Sequence, residues 1–253
     1  MKSFLYQTDL NFKRIVMRNK KFFIFDLLLP IIFYLLYTKV LSTGIPKSLM
    51  SSWNANYLVS MMVFSCLLGS IITVSNTLLE DHTSHFDLFV DISPLSKIKY
   101  YASLIVVFLT LNLISVITIS LVGIFVNNVN LPLQKLTLVS INTLLGSLVL
   151  ILVGILISLA KSPSTVNLLN SLAVFPVAML SGLWWPLSTM PDWLQTIGKL
   201  LPPYAISQAN ISIMNSKIPS FSSVLNIVSW FTVLLVLNII LIKLPSHKEL
   251  ETE

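Results

Sequence analysis

Ten acidic residues and three histidines are few for a 253-residue chain, and where they fall decides which chemistry is open to them. The densest run is Glu80-Asp81-His82-Thr83-Ser84-His85-Phe86-Asp87-Leu88-Phe89-Val90-Asp91-Ile92-Ser93-Pro94. His82 and His85 are one helical turn apart, so they face the same way and, with Asp81 and Asp87 nearby, have the elements of a metal site. No further spaced His or Cys completes the ligand set; no metal is assigned, and a solvated helical connection accounts for the pair. Phe86, Leu88, Phe89 and Val90 are the sharper clue. Large apolar side chains on an otherwise polar connection point to docking on a partner protein or on the bundle's own ends, with Glu80, Asp81, His82, Phe86, Asp87, Leu88, Phe89 and Asp91 as the contact set.

Asp26 is the one acid inside an apolar run. It is either a proton or ion site or, as expected from its place one turn from the end of that run, the partner of a nearby Lys or Arg. Its own run offers no His, second acid or activated Ser at helical spacing, so no catalytic residue is assigned. The lone Cys66 makes no internal disulfide and no cysteine metal site. Among seven glycines the only Gly-Lys pair, Gly198-Lys199, lacks the glycine five positions earlier that a phosphate-cradling loop requires. The chain therefore holds no cofactor of its own.

The elements that must position these residues follow from composition. Hydrophobic residues make up 55% of the chain, charged residues 10%, and the mean hydropathy is +0.86, whereas soluble domains carry about 25% charged residues. So few charges cannot cover a soluble surface, and soluble enzymes and nucleic-acid binders are excluded. A hydrocarbon core about 30 Å thick takes about 20 apolar helical residues, and six runs qualify: 22–41, 57–79, 101–126, 136–160, 166–185 and 222–243. The expected fold is an all-α integral membrane bundle, one domain over 1–253.

Of the 16 basic residues, eleven fall on the side of the termini, among them Arg14, Arg18, Lys97 and Lys161, and five on the other. The positive-inside rule then puts both termini in the cytoplasm of a multi-pass plasma-membrane protein. The first apolar run is too long for a signal peptide and lacks a small-x-small cleavage site. Ahead of it, over 1–21, Phe4, Leu5, Phe12, Ile15 and Val16 share one helical face with Lys13, Arg14 and Arg18 elsewhere, the pattern of an interfacial helix lying on membrane lipids.

In the second span Ser65, Gly69 and Thr73 recur every four residues, a stripe that permits close helix contact within the bundle or between subunits. Asn76 there, and Asn167 and Asn170 at the start of the fifth span, put amides near the inner surface, to line a polar entrance or to bond between helices. From Phe175 to Leu194 apolarity persists through Gly182, Pro186 and Pro191, which a straight helix cannot follow and bare lipid will not accept. A re-entrant turn is expected over 182–204, with a short helix from Pro191 and with Trp184, Trp185 and Trp193 at the outer boundary.

The whole chain resembles the membrane-spanning subunit of type-2 ABC exporters. Three parts carry the likeness: Glu80 to Pro94 with Leu95-Ser96-Lys97, similar to that family's coupling loop (80–98); Leu180-Ser181-Gly182 through Pro186, Met190-Pro191 and Trp193-Leu194 to Leu201-Pro202-Pro203-Tyr204; and the order of amphipathic entry helix followed by six spans. Ser84-His85 stands where the family usually has Gly-Thr, and His82 where an acid is common. The resemblance implies a second permease, expected to be an identical copy, on two ATPase subunits that carry ATP and Mg. The second and fifth spans would line the pathway, through Asn76, Asn167, Asn170, Phe175 and Met179. Gly182, Trp184, Trp185, Pro186, Pro191 and Trp193 would close its outer end. The expected cargo is a hydrophobic drug, antibiotic or antimicrobial peptide; a lipid or lipid-linked glycan, and a non-pumping immunity or sensor protein, are the alternatives.

Overall fold

The computed structural model describes residues 2–18, 23–86, 90 and 97–243. Among them there is no β-strand. The chain opens with α1 (Lys2–Arg18) and continues through α2, an unbroken run over 23–40 in which an α-helical centre, Leu29–Leu35, is flanked by wider π turns at Phe23–Leu28 and Leu36–Val40. Pro30 sits at the junction of the first π turn and that α-helical centre, where it removes one backbone donor from the run. Then follow α3 (Lys47–Thr83), interrupted by one π turn at Gly69–Thr73, α4 (Lys97–Asn127), α5 (Leu133–Ser158), α6 (Pro163–Leu180), α7 (Asp192–Leu200), α8 (Pro202–Met214) and α9 (Phe221–Lys243).

Five of these, α3, α4, α5, α6 and α9, are long and apolar enough to cross a membrane. They differ in surroundings. The apolar stretch of α3 is 94% buried, whereas that of α6 is 22% buried and that of α9 only 11%. A helix apolar all round belongs in the middle when protein covers it; α3 is therefore the bundle's axis, and α6 and α9 present faces for lipid or another chain. Around α3 pack Tyr34 of α2, Val116 and Ile119 of α4, Leu150 of α5 and Ile206 of α8. The short connections between α4 and α5, and between α5 and α6, make these helices antiparallel neighbours.

Polar groups inside the bundle are mostly paired. Asn142 Nδ2 donates to Asn210 Oδ1 and Asn210 Nδ2 to Thr143 Oγ1, each at 2.8 Å, tying α5 to α8. Lys39 and Lys135 donate to the carbonyls of Val126 and Met214 at 3.1 and 2.7 Å, satisfying acceptors that helix ends leave open.

α1 differs from its expected setting. Ile15 is buried, and Phe12 and Val16 pack in the same cluster as Tyr100 and Leu104 of α4, so the apolar face rests at least partly on protein rather than wholly on lipid. Asn11 donates to Ser103 at 2.8 Å. α3 also starts ten residues before the expected span, where it is tied to α2: Trp53 Nε1 donates to the Tyr37 carbonyl at 3.1 Å, and Tyr34 donates to the backbone carbonyl of Asn54 at 3.2 Å.

Candidate functional site

At the end of the bundle that holds α1, the last turns of α3 and the first turns of α6 enclose a cavity of about 1190 Å³. Drug-sized ligands occupy clefts of roughly 300–1,000 Å³, so a sizeable organic molecule fits. Asn76 projects from α3, and Asn167, Asn170 and Phe175 from α6, into the same wall. Four of the five expected pathway residues are thus brought together. Met179, one turn further along α6, is not on this wall and is 39% exposed on the helix's outer face. Ser75 donates to Asn170 Oδ1 at 2.8 Å, while Asn170 Nδ2 is buried without a partner.

Asp26 and Arg14 also reach this wall; the cations that follow α1, Lys20 and Lys21, lie outside the described residues, and Arg14 departs from expectation. Arg14, grouped by its helical position with the basic lipid-facing residues, turns inward. Its guanidinium forms two hydrogen bonds with the Asp81 carboxylate, that from Nη2 at 2.9 Å, and lies over the Phe86 ring at 4.5 Å. Tyr100 donates to the same carboxylate. Burial alone would lower the Arg14 pKa, but the hydrogen bond and charge of Asp81 outweigh it and hold the guanidinium above its ordinary value. Asp81 is therefore engaged inside the protein, joining α1, α3 and α4, rather than held out for another chain.

Asp26 is not paired with a cation among the described residues. Its Oδ2 accepts from Thr73 Oγ1 at 2.5 Å, and its backbone carbonyl accepts from Ser65. A Cβ at Gly69 would lie 3.3 Å from Asp26 Oδ2 and 3.0 Å from Asn112 Oδ1. The stripe Ser65-Gly69-Thr73 accordingly packs within the bundle and receives Asp26, and the π turn at Gly69–Thr73 faces the π turn that carries the acid. No spacing rule applied to one helix reveals this contact, since the two partners are 47 residues apart.

Of the expected contact set, Glu80, Asp81 and Phe86 border the cavity's rim, and His82 is half-buried beside it. α3 ends at Thr83, and His85 takes a left-handed φ of 57° in the turn that follows. Asp87, Leu88, Phe89 and Asp91 lie outside the described residues. Among those described, no group of three or more His, Cys, Asp or Glu is placed to hold a metal.

At the opposite end, α6 stops at Leu180 and the chain reverses through Gly182, whose φ of +73° is one that L-residues with a side chain rarely adopt. Pro176 is accommodated within α6, and Asp192 opens α7 directly after Pro191. Gly182 and Pro186 border a second cavity of about 380 Å³ with Tyr57, Gln195 and Tyr204. Trp184 packs on the protein: its ring meets Phe33 and Phe64 edge-on at 5.3 and 5.5 Å, and its carbonyl accepts from Tyr57 at 3.2 Å. Trp185 and Trp193 are exposed, as is Pro191.

A bundle of membrane-length helices, with an organic-sized cavity opening beside a polar connection and a turn closing its other end, has the build of a permease. The chain belongs to the ABC-2 type transporter family, whose match covers residues 4–215. It is also similar to the "Putative transport permease YvfS" of Bacillus subtilis (strain 168), 27% identical over 223 residues that span 88% of this chain and 90% of that protein. Membership makes it a multi-pass membrane subunit of an ABC transporter, with an ABC ATPase as its implied partner and no cofactor in this chain.

Proposed function

We propose that this chain is one of two identical permeases which, on two cassette ATPase subunits, export a hydrophobic drug, antibiotic or antimicrobial peptide across a bacterial plasma membrane. The carrying observation is the cavity of about 1190 Å³, whose wall joins residues of α3 and α6 to the rim at Glu80 and Phe86. A compartment that touches both a coupling connection and two packed helices, α3 and α6, is suited to turn movement of that connection into movement of cargo.

In this reading α2 is a sixth span. Its 18 residues reach at most roughly 27 Å at 1.5 Å per residue, less where the π turns widen it, against a hydrocarbon thickness of about 30 Å. Both termini, α1 and the large cavity are then cytoplasmic, and the turn over 182–204 is the re-entrant outer gate. ATP and Mg bind on the ATPase subunits. Their closure presses on the segment from Glu80 to Asp91, where Phe86, Leu88 and Phe89 are apolar anchors, His82 and Asp87 are polar contacts, and Asp81 ties the segment to α1 through Arg14. Tilting of two bundles about a shared seam replaces an inward opening by an outward one. Gly182, Trp184, Trp185, Pro186, Pro191 and Trp193 exclude water at the outer end, and Met179 with Phe175 offers soft apolar surface on the α6 face at the seam.

The test is co-expression with a cassette ATPase, followed by purification and measurement of vanadate-sensitive ATP hydrolysis with candidate apolar cargos. Association and cargo-stimulated hydrolysis are expected. A chain that binds no cassette ATPase and confers no export would overturn the proposal.

A further inference from the structure

Asp26 is 1% exposed in the middle of an apolar protein, yet it has no cationic partner among the described residues. Thr73 satisfies Oδ2, and no described residue donates to Oδ1. The cavity wall on which it stands includes three acids, Asp26, Glu80 and Asp81, and one cation, Arg14, whose guanidinium is taken by Asp81. Arg14 is thus engaged by Asp81, and Asp26 is held inside the helices with no cation among the described residues. A second buried group on the same wall is open: Asn170 is 3% exposed and its Nδ2 has no acceptor. Buried polar groups are nearly always hydrogen-bonded, and a carboxylate at membrane depth is expected to meet a positive partner. One oxygen here calls for a cationic donor, one N–H calls for an acceptor, and Ile72, Leu79 and Phe175 supply apolar wall between.

We propose that this end of the cavity is a subsite for a cationic amine borne by an apolar cargo, in which Asp26 accepts from the ammonium and Asn170 donates to a carbonyl or hydroxyl oxygen of the same molecule. A divalent metal ion is the poorer fit, because a hard cation needs six or more oxygens and the described residues form no acid or histidine cluster of that kind. The proposal rests on the cavity being the cargo's compartment and adds the charge and polar pattern of the cargo.

The experiment uses the full chain alone in phosphatidylcholine nanodiscs, with empty nanodiscs subtracted. The probes are monodansylcadaverine, a primary amine on an apolar fluorophore, and its neutral N-acetyl derivative. The wild-type chain is expected to bind the amine at least about tenfold more tightly, the contrast of one desolvated charged hydrogen bond. Asp26→Asn should remove that preference while leaving the acetylated probe within about twofold, and Asp26→Glu should keep it. Equal affinity of the two probes for the wild-type chain, or no binding of either, overturns the proposal whether or not the variants fold. So does a monodisperse Asp26→Asn that weakens both probes alike. Failure of a cassette ATPase to associate would instead defeat the transport reading and leave this contrast measurable.

Discussion

Replacing Arg14 by methionine removes the guanidinium but keeps an unbranched stem of similar reach. Asp81, with a side chain only 6% exposed, is then left with the Tyr100 hydroxyl as its described donor. Breaking a fully buried pair from one side costs about 3–5 kcal/mol, because the remaining charge has lost its partner and cannot regain water. The Arg14 side chain is 23% exposed, so water reaches part of the vacated place, and we expect a loss of about 2–3 kcal/mol in the free energy that holds α1 against α3 and α4. Asp81→Asn should cost less, about 1–2 kcal/mol, since the long arginine can extend to solvent. Arg14→Met combined with Asp81→Asn should lose less than the sum of the two single changes, by about 1–2 kcal/mol. Amide hydrogen exchange over residues 6–16, in nanodiscs, reads the opening free energy of α1 directly. A loss below about 0.5 kcal/mol for Arg14→Met, the size of an exposed ion pair, or a cycle that closes additively, would refute the reasoning.

Gly69→Val places branched carbon against Asn112 Oδ1 and Asp26 Oδ2 and should cost about 1–3 kcal/mol by overpacking, seen as an earlier unfolding transition by tryptophan fluorescence. Gly182→Val forces a β-branched residue into φ +73°, with its Cβ 3.3 Å from Leu187; a penalty of about 1–2 kcal/mol, with reduced export at normal expression, is expected in a cell-based export assay. Phe175→Cys on the exposed face of α6 should crosslink two copies under oxidation, whereas Leu113→Cys, comparably exposed on α4, should not; the opposite pattern would put the seam elsewhere. Replacing Phe86 and Asp87 together by alanine should leave membrane insertion intact and separate ATP hydrolysis from transport, which vesicle uptake measured beside hydrolysis would reveal.

Length and apolarity alone located α4, α5, α6 and α9 to within a few residues, because a helix in lipid is defined by its own composition. The reversal after Leu180 and the helix opening beyond Pro191 were equally readable, since Gly and Pro act locally. What escaped was decided by contacts far apart in sequence. Arg14 sits on the basic side of a helical wheel, and only the position of Asp81, 67 residues away, draws it inward. Asp26 meets Thr73 and Ser65 of another helix, 47 and 39 residues away, and no rule read along its own run places them there. Trp184 packs its ring on Phe33 and Phe64 of other helices, a contact that no aromatic-belt rule foresees. The polar start of α3 at Lys47 looks like a loop until Tyr37 and Tyr34 provide partners for it.

The single π turn in α3 has a mechanical consequence. At 1.5 Å per residue, 37 residues form a rod of roughly 55 Å, nearly twice the hydrocarbon thickness of about 30 Å. The π turn at Gly69–Thr73 interrupts the regular ladder off centre, leaving an arm of ten residues, Val74–Thr83, and an arm of 22, Lys47–Leu68. These arms are roughly 15 and 33 Å long. A rod that pivots at this point is a seesaw with unequal ends: a nudge of about 3 Å at Thr83 swings Lys47 by about 7 Å the other way. The same π turn is where Thr73 donates to Asp26, so the two arms of α3 meet at that carboxylate.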